Sequence, residues 1–72
     1  MEKRMFEYLE KNTIGQSTSL KMEWGLGELA FNLNHDMGHI STEDLEKLWN
    51  GQIAFEKEDE NFFVKVSRIE GK

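Results

Sequence analysis

The sequence predicts an α+β domain in which two helices pack on two antiparallel β-hairpins, in the order helix–hairpin–helix–hairpin (α-ββ-α-ββ). Three observations support this prediction: a helix-type apolar spacing near the N-terminus, a strong helix-capping pattern in the second half, and two segments in which apolar and polar residues alternate. The chain of 72 residues suffices for one small domain, which we assign to residues 1–72.

The first element is predicted to be an amphipathic helix over Glu2–Asn12. Met5, Phe6 and Leu9 stand at positions i, i+1 and i+4, which share one face of a helix. The charged residues between them are left for solvent. Gly15 follows at a position where glycine can end a helix.

The next segment, residues 20–33, has two interpretations. Read with period two, it predicts a hairpin with a two-residue turn at Leu26–Gly27, which puts six large apolar side chains on one face. These six are Leu20, Met22, Trp24, Leu29, Phe31 and Leu33. The alternative is a helix, because apolar residues also recur at i, i+3, i+4 and i+7 from Leu26. That helix would leave Phe31 off its apolar stripe, and the hairpin is the preferred interpretation.

The clearest local pattern predicts a helix over Thr42–Asn50. Ser41 is a favoured N-cap residue, and Asp44 stands three residues later, where an acid suits a capping box. Acidic side chains in the first turn interact favourably with the helix dipole, and Gly51 is placed to end the helix. The residues predicted to be buried are Leu45, Leu48 and Trp49.

The last element is predicted to be a β-hairpin with its loop at Glu58–Asn61. Apolar residues alternate with polar ones on both sides of this loop. The register that closes it puts four apolar side chains on one face: Ile53, Phe55, Val64 and Val66. Phe63 then falls on the opposite face, away from the predicted core.

The helical interpretation of residues 26–33 would give the order helix–strand–helix–helix–hairpin. In element order alone, this arrangement resembles the winged-helix family, with Thr42–Asn50 as recognition helix and Glu56–Asn61 as wing tip. The resemblance implies a transcriptional regulator as an alternative function. However, both segments carry mainly acidic side chains, which phosphates would repel, so we expect no nucleic-acid binding.

One stretch of sequence occurs twice in related form. Residues 7–16 read EYLEKNTIGQ and residues 43–52 read EDLEKLWNGQ, which agree at six of ten positions. Either a duplicated unit or the shared chemistry of helix ends would explain the match. We call these two stretches the echo segments.

Composition excludes several classes of protein. The chain has no Cys, so it contains no disulfide, and its formal net charge is −5. No apolar run approaches the roughly 18 residues of a transmembrane helix, and no signal peptide is recognisable. We therefore expect a cytoplasmic protein that does not bind membranes.

No arrangement of side chains predicts catalysis. His35 and His39 are spaced to share a metal ion, with Asp36 nearby, but Gly38 and Ser41 indicate a loop, and a structural site needs more ligands. The serines lack a recognisable base. We therefore predict no enzyme activity, no metal site and no cofactor.

The functional prediction rests on the acidic hairpin tip. The candidate partner-binding residues are Glu56, Glu58, Asp59, Glu60 and Phe63. Acids around an aromatic residue are suited to docking on a basic protein surface. We predict a small acidic protein-binding module, acting as an inhibitor, adaptor or regulator of another protein. The alternatives are a solvated turn without a partner, a Phe63 that is covered by a helix or a second subunit, and a purely structural homo-oligomer.

Overall fold

The structure, a computed structural model, describes residues 2–69 of the chain. Its elements in chain order are β1 (Arg4–Asn12), β2 (Ser17–Trp24), α1 (Leu26–Met37), α2 (Thr42–Trp49), β3 (Ala54–Asp59) and β4 (Phe62–Arg68). The strands form one antiparallel sheet in the spatial order β2–β1–β4–β3. The α+β class is confirmed, whereas the predicted order α-ββ-α-ββ is wrong, because the observed order is ββ-αα-ββ.

Both helices cover the same side of the sheet. The core consists of alternate strand residues and three helical leucines: Phe6, Tyr8, Trp24, Leu29, Leu33, Leu48, Val64 and Val66. All of the strand residues in this core point to one face, as the pairing of the strands requires. The opposite face, formed by odd-numbered residues of β1, β2 and β4 and even-numbered residues of β3, is called the outer face below.

The predicted helix over Glu2–Asn12 is wrong, since β1 is a central strand hydrogen-bonded to β2 and β4. Phe6 and Tyr8 point to the helices, so the segment also satisfies a period of two. Helix propensities among ordinary residues differ by at most about 0.7 kcal/mol. Burying one large apolar side chain contributes about 1.5–3 kcal/mol. The core on one side and two neighbouring strands therefore outweigh the helical preference of the segment.

The preferred hairpin over residues 20–33 is also wrong, and the helical alternative is confirmed. The partner of β2 is the preceding strand β1, and the supposed turn at Leu26–Gly27 is the first turn of α1. Leu29 and Leu33 are buried, whereas Phe31 is 71% exposed, as the helical spacing requires. Glu28 Oε1 accepts the Gly25 N–H at 3.1 Å and so stabilises the start of the helix.

The winged-helix order helix–strand–helix–helix–hairpin is not observed in residues 2–69. The helix at residues 26–37 that it requires is present, but the first segment is a strand. That strand joins the hairpin of β3 and β4 in a single sheet, so the two ends of the chain form one layer.

The predicted helix at residues 42–50 is confirmed as α2. The Asp44 N–H donates to Ser41 Oγ at 3.1 Å, which is the predicted N-cap. Gly51 adopts a φ of +75° just after the helix, in the left-handed region that favours glycine. Arg4 and Arg68 each donate from Nη1 to the Trp49 carbonyl, at 2.9 and 3.1 Å, and thereby satisfy the C-terminal end of the helix.

The hairpin of β3 and β4 is confirmed, but its predicted register is displaced by two residues. The turn contains only Glu60 and Asn61, and Phe55 lies opposite Val66 rather than Val64. A displacement of two residues keeps every side chain on its face. Phe63 accordingly lies on the outer face, as predicted.

The echo segments have different structures. Residues 7–12 belong to strand β1, whereas residues 43–49 belong to helix α2. The echo is therefore not a repeated structural unit.

Candidate functional site

The five predicted partner-binding residues lie on the hairpin of β3 and β4, but on different sides of it. Glu56, Glu58 and Phe63 are on the outer face, and Glu58 is directly opposite Phe63. Asp59 lies opposite Phe62, on the side that faces the helices. Glu60 is in the turn. The structure therefore brings Glu58, Glu60 and Phe63 together at the tip and places Glu56 further along the strand.

A shallow depression of about 240 Å³ lies at this tip. Its lining residues come from the hairpin and from the adjacent end of β1: Lys11, Asn12, Thr13, Glu58, Asp59, Glu60, Phe62 and Phe63. The depression exists because β1 and β4 are neighbours, so that the β1–β2 turn and the β3–β4 turn lie at the same end of the sheet. Its lining combines carboxylates with aromatic surface.

The carboxylates of Glu58, Asp59 and Glu60 are exposed to solvent. Among the ion pairs of residues 2–69, Glu56 pairs with Lys65 at 3.5 Å, but Glu58, Asp59 and Glu60 take part in none. Asp59 Oδ1 accepts the N–H of Asn61 at 2.9 Å, which fixes the turn. The tip thus has a fixed backbone and carboxylates available to an incoming cation.

The two aromatic residues of the tip have different roles. Phe62 packs against the hydrophobic core. Phe63 is half-buried on the outer face, between Lys11 of β1 and Glu58 of β3 in the strand register. Because the helices lie on the other side of the sheet, they do not cover Phe63. Phe62 therefore anchors the tip to the domain, while Phe63 presents an aromatic surface.

The outer face carries further apolar residues that the sequence analysis did not identify. Met5 and Leu9 of β1 are half-buried on the same face as Phe63. They were assigned to the buried side of a helix, and only the strand conformation of β1 places them here. The sequence signal for this placement is a spacing of two residues. In a strand it puts Phe6 and Tyr8 on one face, and Met5 and Leu9 on the other.

His35, Asp36 and Tyr8 form a hydrogen-bonded network. His35 Nδ1 lies 2.9 Å from Asp36 Oδ1, and the Tyr8 hydroxyl donates to Asp36 Oδ2 at 2.8 Å. Burial, and then the Asp36 carboxylate, raise the pKa of Tyr8 far above its ordinary value. The phenol consequently stays protonated and donates to Asp36.

Both histidines are exposed, and the expected loop is correct only for His39, since His35 is in α1. Residues 2–69 contain no group of three or more His, Cys, Asp or Glu side chains that could hold a metal ion. Within the same residues, no helix is long and apolar enough to cross a membrane.

A second depression, of about 260 Å³, lies at the opposite end of the sheet and includes Arg4 and Arg68. These arginines already bind the Trp49 carbonyl, and the Arg4 guanidinium also lies 4.6 Å from the centre of the Trp49 ring. They hold the end of α2 against the sheet. We therefore assign these arginines a structural role and do not treat this depression as a candidate site.

The hairpin tip therefore remains the candidate site. No protein-family model, curated protein or solved structure matches the chain at a significant level.

Proposed function

We propose that this protein is a small acidic, non-catalytic binding module, acting as an inhibitor, adaptor or regulator, that docks on a basic surface of another protein. The binding element is the tip of the β3–β4 hairpin. The observation that supports the proposal is the combination at this tip of carboxylates without ion pairs and the half-buried Phe63, around one shallow depression.

Charge and aromatic surface would contribute to different steps of binding. Carboxylates at the rim of an interface attract a basic partner over long distances and accelerate association, an effect that salt weakens. A partly exposed aromatic side chain at its centre is desolvated on contact and slows dissociation. Glu58 and Glu60 are suited to the first role, and Phe63 to the second.

The same charges favour a protein partner over a nucleic acid. Phosphate backbones would be repelled by the tip and by the net charge of −5. Binding is also better supported than catalysis, because the depression is shallow and open, whereas substrates usually bind in deeper cavities.

A capture experiment with two matched double variants tests this proposal. The tagged protein is incubated with nuclease-treated lysate of the source organism at low and high salt. Glu58→Lys with Glu60→Lys reverses the charge of two side chains at the hairpin tip but leaves the turn contact of Asp59 intact. Glu43→Lys with Glu46→Lys changes the net charge by the same amount on α2.

The expected result is a stoichiometric protein partner that high salt releases, that the hairpin variant loses and that the α2 variant retains. Equal binding by the hairpin variant and the wild type contradicts the proposal. Loss of binding in both variants would mean that net charge, and not the hairpin tip, determines the interaction. Circular dichroism of each variant serves as the control for folding.

A further inference from the structure

The two edges of the sheet differ in their protection against pairing with another strand. The edge strand β3 has the sequence AFEKED, in which four of six residues are charged. The edge strand β2 has the sequence STSLKMEW, with only Lys21 and Glu23 charged among eight residues. Charged side chains on an edge discourage pairing with a further strand. The edge formed by β2 is therefore the less protected of the two.

Proline and a β-bulge, two further forms of protection, are also missing from β2. The chain has no Pro. The pairing of β1 with β2 runs without interruption from Arg4 and Trp24 to Lys11 and Ser17, so no bulge distorts the edge. Leu20, in the middle of the strand, is 45% exposed. A long, regular and partly apolar edge is a surface suited to strand addition.

Two hydrogen bonds reveal which backbone groups of β2 point outward. The Asn12 N–H donates to the Gln16 carbonyl at 3.0 Å, and the Ile69 N–H donates to the Met5 carbonyl at 3.1 Å. In antiparallel strands the direction of backbone groups alternates from residue to residue. Even-numbered residues of β2 therefore bond to β1. The backbone groups free to accept a new strand belong to Ser17, Ser19, Lys21 and Glu23.

We propose that β2 pairs antiparallel with β2 of a second copy of this chain, so that two sheets join into one across a two-fold axis. Directly opposite residues of antiparallel strands point to the same face, so this axis is perpendicular to the sheet. The helices of both copies then lie on the same side. Two pairings of this kind overlap the strands equally, over residues 17–23 or residues 18–24 of each copy, and the first puts Leu20 opposite Leu20 of the second copy.

The side chains of β2 are compatible with this pairing. Lys21 would face Ser19 of the second copy, and Glu23 would face Ser17, so no like charges stand directly opposite each other. Even-numbered residues form the pairs without hydrogen bonds, in which Cα atoms approach to about 4.5 Å. The two Leu20 side chains would cover each other there. Moving the axis by one residue would instead place Lys21 against Lys21 of the second copy.

A second copy fits this edge better than a charged partner does. With one Lys and one Glu, β2 has no net charge, although the whole chain carries −5. A domain of this length buries a small core, and self-association is a common source of additional stability for such domains. The inference depends on β2 and is independent of the proposed docking by the β3–β4 hairpin.

Sedimentation equilibrium over a range of protein concentrations tests the pairing. The wild type is expected to form a dimer that higher salt strengthens, since salt screens the repulsion between two acidic chains. Leu20→Glu places two charges at the axis and should shift the protein to monomer. Phe31→Glu, a matched change at another exposed apolar residue, should retain the dimer, as should the Glu58→Lys and Glu60→Lys variant.

Cysteine cross-linking tests the register, because the chain has no native Cys. Under oxidation, Leu20→Cys should form a disulfide-linked dimer, since Cα distances near 4.5 Å permit a disulfide. Thr18→Cys and Met22→Cys should cross-link with each other when mixed, but not when alone. A monomer at every concentration, a dimer unaffected by Leu20→Glu, or no cross-link through Leu20→Cys overturns the inference.

Discussion

The tripeptide Leu-Glu-Lys occurs twice in this protein, in the central strand β1 at residues 9–11 and in the helix α2 at residues 45–47. In β1, Leu9 lies half-buried on the outer face of the sheet. In α2, Leu45 packs against the core from the other side. The same three residues thus adopt the two main types of secondary structure within one small domain.

The difference lies in what surrounds each tripeptide. The α2 copy has local support, because Ser41 caps the helix and Lys47 lies 3.3 Å from Glu43 one turn earlier. The β1 copy is held by distant partners, since β2 and β4 bond to its two edges and Phe6 is fully buried. Local interactions therefore determine the conformation only where tertiary contacts favour the same secondary structure.

Phe6→Ala should cause the largest loss of stability and tests the support that the β1 copy receives from distant residues. Phe6 stacks with both Trp24 and Trp49, whose ring centres are 5.9 and 6.0 Å from its own. Its removal should cost about 3–5 kcal/mol, enough to unfold much of a small domain. Urea denaturation followed by circular dichroism measures this loss. Met5→Ala, the neighbouring change on the outer face, is the control, and an equal loss in both variants would contradict the strand assignment.

Replacing either of the glycines that the echo segments share by Ala should destabilise the protein by a similar amount. Gly15 ends the β1 copy with a φ of +90°, and Gly51 ends the α2 copy with a φ of +75°. Each Gly→Ala change should cost about 1–2 kcal/mol, since L-residues resist this conformation. A Cβ atom at Gly51 would meet only the Arg68 side chain, at 3.4 Å, so packing adds little. Thermal denaturation measures the loss of stability in each variant. A several-fold difference between the two losses would contradict a common backbone role.

Ser41→Ala should destabilise the α2 copy selectively. The change leaves the Asp44 N–H without its side-chain acceptor and should cost about 1 kcal/mol. Amide hydrogen exchange should show faster exchange in the first turn of α2 than in β1. Ser41→Asp should restore most of the stability, because Asp is also a good N-cap. Equal acceleration in both elements would show that the cap stabilises the whole domain and not α2 in particular.

Tyr8→Phe should have the smallest effect at neutral pH, roughly 0.5–1 kcal/mol, because it removes one hydrogen bond to the partly exposed Asp36. In alkali the effect has a definite sign. The pKa of Tyr8 is raised in the folded state. The unfolded state therefore loses its proton first, and stability falls as pH rises above about 10.

The Tyr8→Phe variant should lack the part of this alkaline decline in stability that Tyr8 causes. The measurement is the free energy of unfolding of the wild type and of the variant at pH values from neutral to above about 10. The chain has one Tyr, so an absorbance titration of the wild type reports on Tyr8 alone. Ionisation of the folded protein near pH 10 would contradict the buried hydrogen bond to Asp36.

The sequence predicts those parts of the fold whose causes are local. The cap at Ser41 and the glycine at Gly51 are sufficient to predict α2 with nearly correct ends. Alternation in the last hairpin predicts which face each residue joins. It does not predict the register, because a displacement of two residues leaves every face unchanged, and the turn at Glu60 and Asn61 decides between the two.

The conformation of β1 could not be predicted in this way. Met5, Phe6 and Leu9 satisfy a helical spacing, whereas Phe6 and Tyr8 satisfy a strand spacing in the same residues. The choice depends on pairing with β4, near the other end of the chain. For the same reason the sequence predicts the outer-face position of Phe63 but not that of Met5 and Leu9, which share this face.

The pairing of β1 with β4 also has a consequence for folding kinetics. It joins Phe6 to Arg68, almost the whole length of the described chain, at the centre of the sheet. Each hairpin can form by itself within microseconds, but neither contains a complete core. The core is completed only when the two ends of the chain meet, so closure of this long loop should limit the folding rate. A domain of very small size would then fold more slowly than its length suggests, and in a single cooperative step.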